Sequence, residues 1–306
     1  MARSFHRPAL GWTGARPGGE PMNMRITVIG LGATGLPIAL RLRDSGHAVT
    51  GVEINPERRR AAAEAGLDVE ERPESAARAD VVILQVTTPE QVEQLLADGL
   101  ARTMPRGATL VLMSTVGPEP ARAYAGLTRT EGVAFVDVPF TGGVDRAREG
   151  ELNLFVSGAE AALAPIRAVL AALGTQVECG DEPGEGQSYK MVNQLLTSVH
   201  ICAAAEALAL ADRLGLDSAK AFEAVASGAG RSWLLSDRGP RMLQGDQAPN
   251  VSSLAIFIKD SALVAESAER AGLDARLIRA TAEVYARAAQ LGLAGEDDSQ
   301  VIRAYD

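Results

Sequence analysis

Cysteine and histidine are nearly missing from this 306-residue chain: Cys179 and Cys202 are the only thiols, and His6, His47 and His200 the only imidazoles. So few ligand types, so far apart, exclude a disulfide framework and leave no usual zinc spacing, so no metal is expected. Nothing calls for an oxidising compartment, and a cytoplasmic protein is expected. A net charge of −9 lacks the basic excess that a phosphate backbone would need, which argues against nucleic acid as a partner. No stretch reaches the roughly 18 uninterrupted apolar residues of a membrane span. The most apolar segment, 195–210, contains His200 and Glu206 and reads as a buried helix. Lysine is the scarcest charge, at Lys190, Lys220 and Lys259 only, with arginine supplying the rest.

What is present is ordinary for a globular protein, with 46% hydrophobic and 23% charged residues in a length sufficient for two domains. Residues 1–23 are rich in Arg, Gly and Pro without hydrophobic period, and read either as a disordered extension or as residues upstream of a functional start at Met24. From there strands and helices alternate. Strands are expected over 25–30, 48–53, 80–86, 109–114 and 133–138, helices over 36–44, 56–65 and 89–100, and two further strands over 152–156 and 176–179 flank a helix over 160–173. This is the pattern of a doubly wound α/β sheet of Rossmann type. Turn formers cluster over 180–186, and beyond them only helices are expected, over 187–214, 218–226, 254–271 and 274–291, with Asp274 as N-cap of the last. The reading is an α/β domain over 24–184 and an all-α domain over 185–306, joined by a long helix.

Three elements carry chemistry. Gly30-Leu31-Gly32-Ala33-Thr34-Gly35 follows a strand and opens a helix, the context in which this glycine pattern cradles a pyrophosphate on free helix N–H groups. Glu53 ends the second strand, where a carboxylate takes the adenosine ribose hydroxyls and repels a 2′-phosphate; NAD is expected over NADP. Second, Lys190, Asn193, Gln194 and Thr197 share one helix face among apolar neighbours. That stripe reads either as a polar cavity around a general acid/base or as a surface lysine at a helix start. Third, Asp137-Val-Pro-Phe-Thr141-Gly142-Gly143 follows a strand, where a hydroxyl and two amides could clasp a carboxylate or simply turn a hairpin.

Five segments in order resemble the β-hydroxyacid dehydrogenase family, relatives of 3-hydroxyisobutyrate and 6-phosphogluconate dehydrogenases. They are 30–37 with Gly46-His47, Met113-Ser-Thr-Val-Gly-Pro118, 137–143 with Gly150, Gly184-Glu-Gly-Gln-Ser-Tyr-Lys-Met-Val-Asn-Gln194, and Phe257-Ile-Lys-Asp260. The L-threonate dehydrogenase branch is the most similar, through 189–196 with His200 and Glu206. The resemblance implies that Lys190 is the acid/base and that Asn193 holds substrate and lysine. It implies that Thr141, Gly142, Gly143 and Gln194 bind a small hydroxy acid. Lys259, Thr115, Val86 and Thr87 would join the glycine turn and Glu53 around the cofactor, in a homodimer or homotetramer. The chain departs from the family pattern at Thr141, where serine is commoner, at Phe140, at Arg146 and Arg148, and at Thr87-Thr88. These departures bear on the substrate, not the chemistry. An imine reductase is one alternative, disfavoured by Lys190 and Glu53; an NADPH-dependent semialdehyde reductase is another, partly kept open by Arg58, Arg59 and Arg60 behind Glu53. A dinucleotide sensor without activity would be expected to lose the lysine.

Overall fold

A computed structural model describes residues 23–305, so the extension expected over 1–23 lies outside the described residues but for Asn23. The chain begins with β1 (Arg25–Ile29), α1 (Gly35–Asp44), β2 (Ala48–Val52), α2 (Pro56–Glu64), β3 (Asp68–Glu70), β4 (Val81–Leu84), α3 (Pro89–Ala97) and α4 (Leu100–Thr103). It continues through β5 (Thr109–Leu112), α5 (Pro118–Thr130), β6 (Ala134–Asp137), β7 (Phe140–Thr141), α6 (Gly143–Glu149), β8 (Leu152–Ser157), α7 (Glu160–Leu163), α8 (Arg167–Leu173) and β9 (Gly174–Gly180). Five helices follow: α9 (Glu185–Arg213), α10 (Ser218–Ala226), α11 (Trp233–Gln244), α12 (Leu254–Arg270) and α13 (Arg276–Gln290).

The sheet runs β3-β2-β1-β4-β5-β6-β8-β7, with β9 beside β8. Strands β1 to β6 are parallel, and the order reverses between β1 and β4, the switch point where open sheets of this kind hold ligands. Successive side chains point to opposite faces, so Val81 and Ile83 join the layer under α1 and α8, while Val82 and Leu84 join that under α3 and α5. Covering both faces is why these strands are apolar throughout. Beyond β6 the sheet is mixed, because β8 runs antiparallel to β6 and β7.

Several boundaries differ from the sequence pattern for local reasons. The helix over 89–100 stops at Ala97, since Gly99 takes φ +91° and starts α4 anew. That over 160–173 is split by a 3-10 turn containing Pro165. Asp274 does not cap α13; Ala275 does, and the Asp274 carboxylate instead pairs with Arg276 and Arg279. β3, α5 and α11 were not foreseen. β3 is a three-residue polar edge strand, α5 buries mainly small residues, and α11 contains Gly239 and Pro240, which weaken a helical signal.

The helical part packs Ile201, Ala205 and Leu208 of α9 against Leu235 and Met242 of α11, Leu254 and Phe257 of α12, and Tyr285 of α13. Its C-terminal 3-10 turn is tied down by charge: Arg238 and Arg241 pair with the buried carboxylates of Asp297 and Asp298. By length and composition α9 could cross a membrane, but 44% of its most apolar window is buried inside the fold.

Candidate active site

The glycine turn is shaped by what a side chain would strike. Gly30 takes φ +95°, and a Cβ there would stand 2.3 Å from the Gln85 carbonyl oxygen; one on Gly35 would stand 1.9 Å from that of Gly30. Gly32 is different: its Cβ would meet only an Arg58 nitrogen, at 3.9 Å. Space is therefore kept open over Gly32, and the N–H groups of Gly32, Ala33 and Thr34 donate to no described residue. A dinucleotide phosphate fits that cradle at the N-terminus of α1. Glu53 is buried, with Oε2 accepting from the Leu31 N–H at 3.1 Å and Oε1 from the Asn55 N–H at 2.9 Å. These bonds hold the carboxylate against the turn with lone pairs to spare. Thr34 accepts from the Gln85 amide at 3.0 Å, and the Val86 N–H donates to Ser114 Oγ at 2.9 Å. Thr87 is exposed at the start of α3, its N–H spent on Gln91.

The buried face of α9 carries Gln187, Lys190, Gln194 and Ser198 before it turns apolar at Ile201. Lys190 is 8% exposed, which rules out the surface-lysine reading. Its Nζ donates to the Phe140 carbonyl at 2.7 Å, directly before Thr141, Gly142 and Gly143. Gly142 and Gly143 take φ +139° and +74°, and no atom lies within 4 Å of a Cβ built on Gly143. The 140–143 stretch is thus a short strand passing into α6 rather than a bare hairpin turn. Burial pulls the Lys190 amine down to about 8; the Asp260 carboxylate opposes this and the Lys259 charge adds to it. Asn193 and Thr197 are half-buried and bonded to each other. The Gln194 amide is engaged within the protein, accepting from Asn193 and donating to Asp260.

Lys259 crosses from α12 to the Thr115 carbonyl at 2.9 Å and lies 2.8 Å from its neighbour Asp260. The fold thus gathers Thr115, 140–143, Lys190, Asn193, Gln194 and Lys259 on one side, and the glycine turn with Glu53 on the other. The Val86–Ser114 bond joins them. Three buried polar residues had been given no role: Asp260, Asp137 and Gln187. All lie within the motif segments, one to four residues from an assigned position, but their function shows only in their partners. Asp137 accepts from Gly184, Gln187 and Ser157, and burial pushes its carboxyl up to about 6. Among the described residues no group of three His, Cys, Asp or Glu side chains converges as a metal site.

Two family profiles cover the chain. Residues 25–180 match the NAD binding domain of 6-phosphogluconate dehydrogenase, and 184–305 match the NAD-binding domain of NADP-dependent 3-hydroxyisobutyrate dehydrogenase. An L-threonate dehydrogenase of Cupriavidus necator is 36% identical over 93% of this chain and 97% of its own length. The crystal structure of a 3-hydroxyisobutyrate dehydrogenase from Salmonella typhimurium superposes with a TM-score of 0.85 at 31% identity, over 92% of this chain and 99% of that one. Psf3, in complex with NADP+ and 2-OPP, superposes at 0.81 with 25% identity, over 92% and 100%. The chain is therefore an oxidoreductase with NAD(P)-binding domains, and belongs to the β-hydroxyacid dehydrogenase family, with 3-hydroxyisobutyrate and L-threonate dehydrogenases among its relatives.

Proposed function

We propose that the chain oxidises a small hydroxy acid with NAD, using Lys190 as the acid/base. The observation that carries this reading is a buried lysine, drawn down to about 8, with Nζ bonded beside the Thr141-Gly142-Gly143 turn. Bound NAD supplies the acceptor for the hydride that leaves the carbinol carbon. Neutral Lys190 takes the hydroxyl proton as the C–O bond becomes a carbonyl, and protonated Lys190 returns it in reverse. Donating to Phe140 orients Nζ while leaving its lone pair free for that proton. Thr141 Oγ and the N–H groups of Gly142 and Gly143 hold the carboxylate, and Asn193 the hydroxyl side. Gln194 acts through Asn193 and Asp260, to which its amide is bonded.

NAD is favoured over NADP because the Glu53 carboxylate stands where a 2′-phosphate would come. A second copy of the chain is the expected partner. Tyr189, Val192, Leu196, Leu210 and Leu214 form an exposed apolar stripe along α9, the largest exposure being 68% at Val192. Light scattering on the Leu196→Asp/Leu210→Asp variant checks it; unchanged mass removes that reading. For the chemistry, the test is NADH absorbance with L-threonate, D-glycerate, 3-hydroxyisobutyrate and tartronate. Lys190→Ala should lose turnover and keep NAD binding, and retained turnover overturns the assignment.

A further inference from the structure

Gln187 is the most completely bonded side chain near Lys190. Its Oε1 accepts from the Val116 N–H at 3.0 Å and the Gly117 N–H at 3.1 Å. Its Nε2 donates to the Ser114 carbonyl at 3.1 Å and to Asp137 Oδ1 at 2.8 Å. Two backbone donors on one end and two acceptors on the other leave only one orientation for the amide, and every hydrogen-bonding position is filled. The residue is wholly buried on the first turn of α9, three residues before Lys190 and on the same face.

The partners belong to two adjacent strand ends, with a third one bond further on. Ser114, Val116 and Gly117 leave β5, and Asp137 ends β6. Ser114 Oγ accepts from the Val86 N–H just beyond the end of β4. Asp137 also accepts from the Gly184 and Gln187 N–H groups, capping α9. One amide thus ties the helix that carries the lysine to the loop that carries Thr115.

We propose that Gln187 is a positioning residue, setting the distance between Lys190 and the Thr115 loop on the cofactor side; this rests on the Lys190 reading above. It touches neither ligand, so it acts on the alignment of proton and hydride transfer, not on binding. An offset of about 1 Å between reacting groups is worth about 100-fold in rate.

The test uses the full chain. Gln187→Met keeps the volume and loses all four bonds. It should bind NADH, followed by nucleotide fluorescence, and show a substrate KM within about threefold of the parent, while kcat falls by about 30- to 100-fold. Substrate deuterated at the carbinol carbon should reveal a larger isotope effect as hydride transfer becomes limiting. Amide exchange should lose protection at Val116 and Gly117 with or without substrate. A kcat within about threefold of the parent, or unchanged exchange there, overturns the proposal. Should Gln187→Met fail to fold, Gln187→Glu decides. It sets two carboxylates face to face, and adding Asp137→Asn restores a donor opposite the acceptor. The pair should recover about tenfold in kcat over Gln187→Glu alone, and no recovery overturns the proposal. Lys190→Ala separates the two readings. If it is dead while Gln187→Met is fully active, positioning alone fails; if it is active, the acid/base reading fails and the exchange data still judge the tether.

Discussion

On the acid/base reading proposed above, the acidity of Lys190 sets the rate at neutral pH, and its size follows from the fold. Held at about 8 instead of the ordinary 10.5, the amine is neutral in about a tenth of molecules at pH 7, against about three in ten thousand. That is about a 300-fold larger supply of base, or roughly 3 kcal/mol, taken from the cost of burying a charge. Initial rates of NADH formation between pH 6 and 10, at saturating NAD, should therefore give log kcat/KM rising with unit slope to a bend near pH 8, then a plateau. The reductive direction should mirror it and decline above pH 8. Removing the opposing charge with Asp260→Asn should move the bend to lower pH, and Lys259→Met should move it to higher pH. The same displacement has a stability sign. Between about 8 and 10.5 the unfolded chain binds more protons than the folded one, so stability rises with pH across that window and the full cost is borne below it. Lys190→Met should accordingly be inactive yet melt higher than the parent at pH 7. A bend near 10, or a flat profile from 6 to 9, would refute the argument that burial sets the base.

The glycine turn offers a paired test. Gly35→Ala pushes a Cβ into the Gly30 carbonyl and should destabilise the fold by about 3 kcal/mol or more. Gly32→Ala should leave the melting temperature nearly unchanged but weaken NAD binding about 5- to 30-fold in fluorescence titration; equal effects at both positions would discount the open cradle. Glu53→Ala should shift the ratio of kcat/KM toward NADP, and an unmoved ratio would take cofactor choice away from this carboxylate. Arg241→Met strips one partner from both Asp297 and Asp298 and should cost about 3–5 kcal/mol in denaturant unfolding, far more than loss of an exposed pair.

Much of this was legible from residue pattern alone. Strands covered on both faces are apolar runs, so β1, β4 and β5 declare themselves, and Gly30, Gly32 and Gly35 stand between a strand and a helix, the setting that gives their spacing its meaning. Lys190 was visible as a lone lysine on a polar stripe, but the stripe could not say whether it was buried; that depends on what β6 and α12 bring against it. Asp137 and Gln187 were least legible. Fifty residues apart, they mean nothing singly, and their role exists only once α9 has docked on the strand ends. The direction of β8 was hidden as well, since periodicity gives a strand its faces but not its heading.

The single uninterrupted α9 also bears on how such an enzyme can be recombined. Composition suggests a joint near Gly184, and a builder of chimaeras would cut there, moving the helix with the C-terminal half. That cut sends Lys190 and Gln187 to one parent and Ser114, Val116, Gly117 and Asp137 to the other, so the transplanted lysine would arrive on a helix whose anchor points were selected against a different side chain. The heritable module is not either half but the seam between them, and a graft that carries the helix must carry the strand ends beneath it.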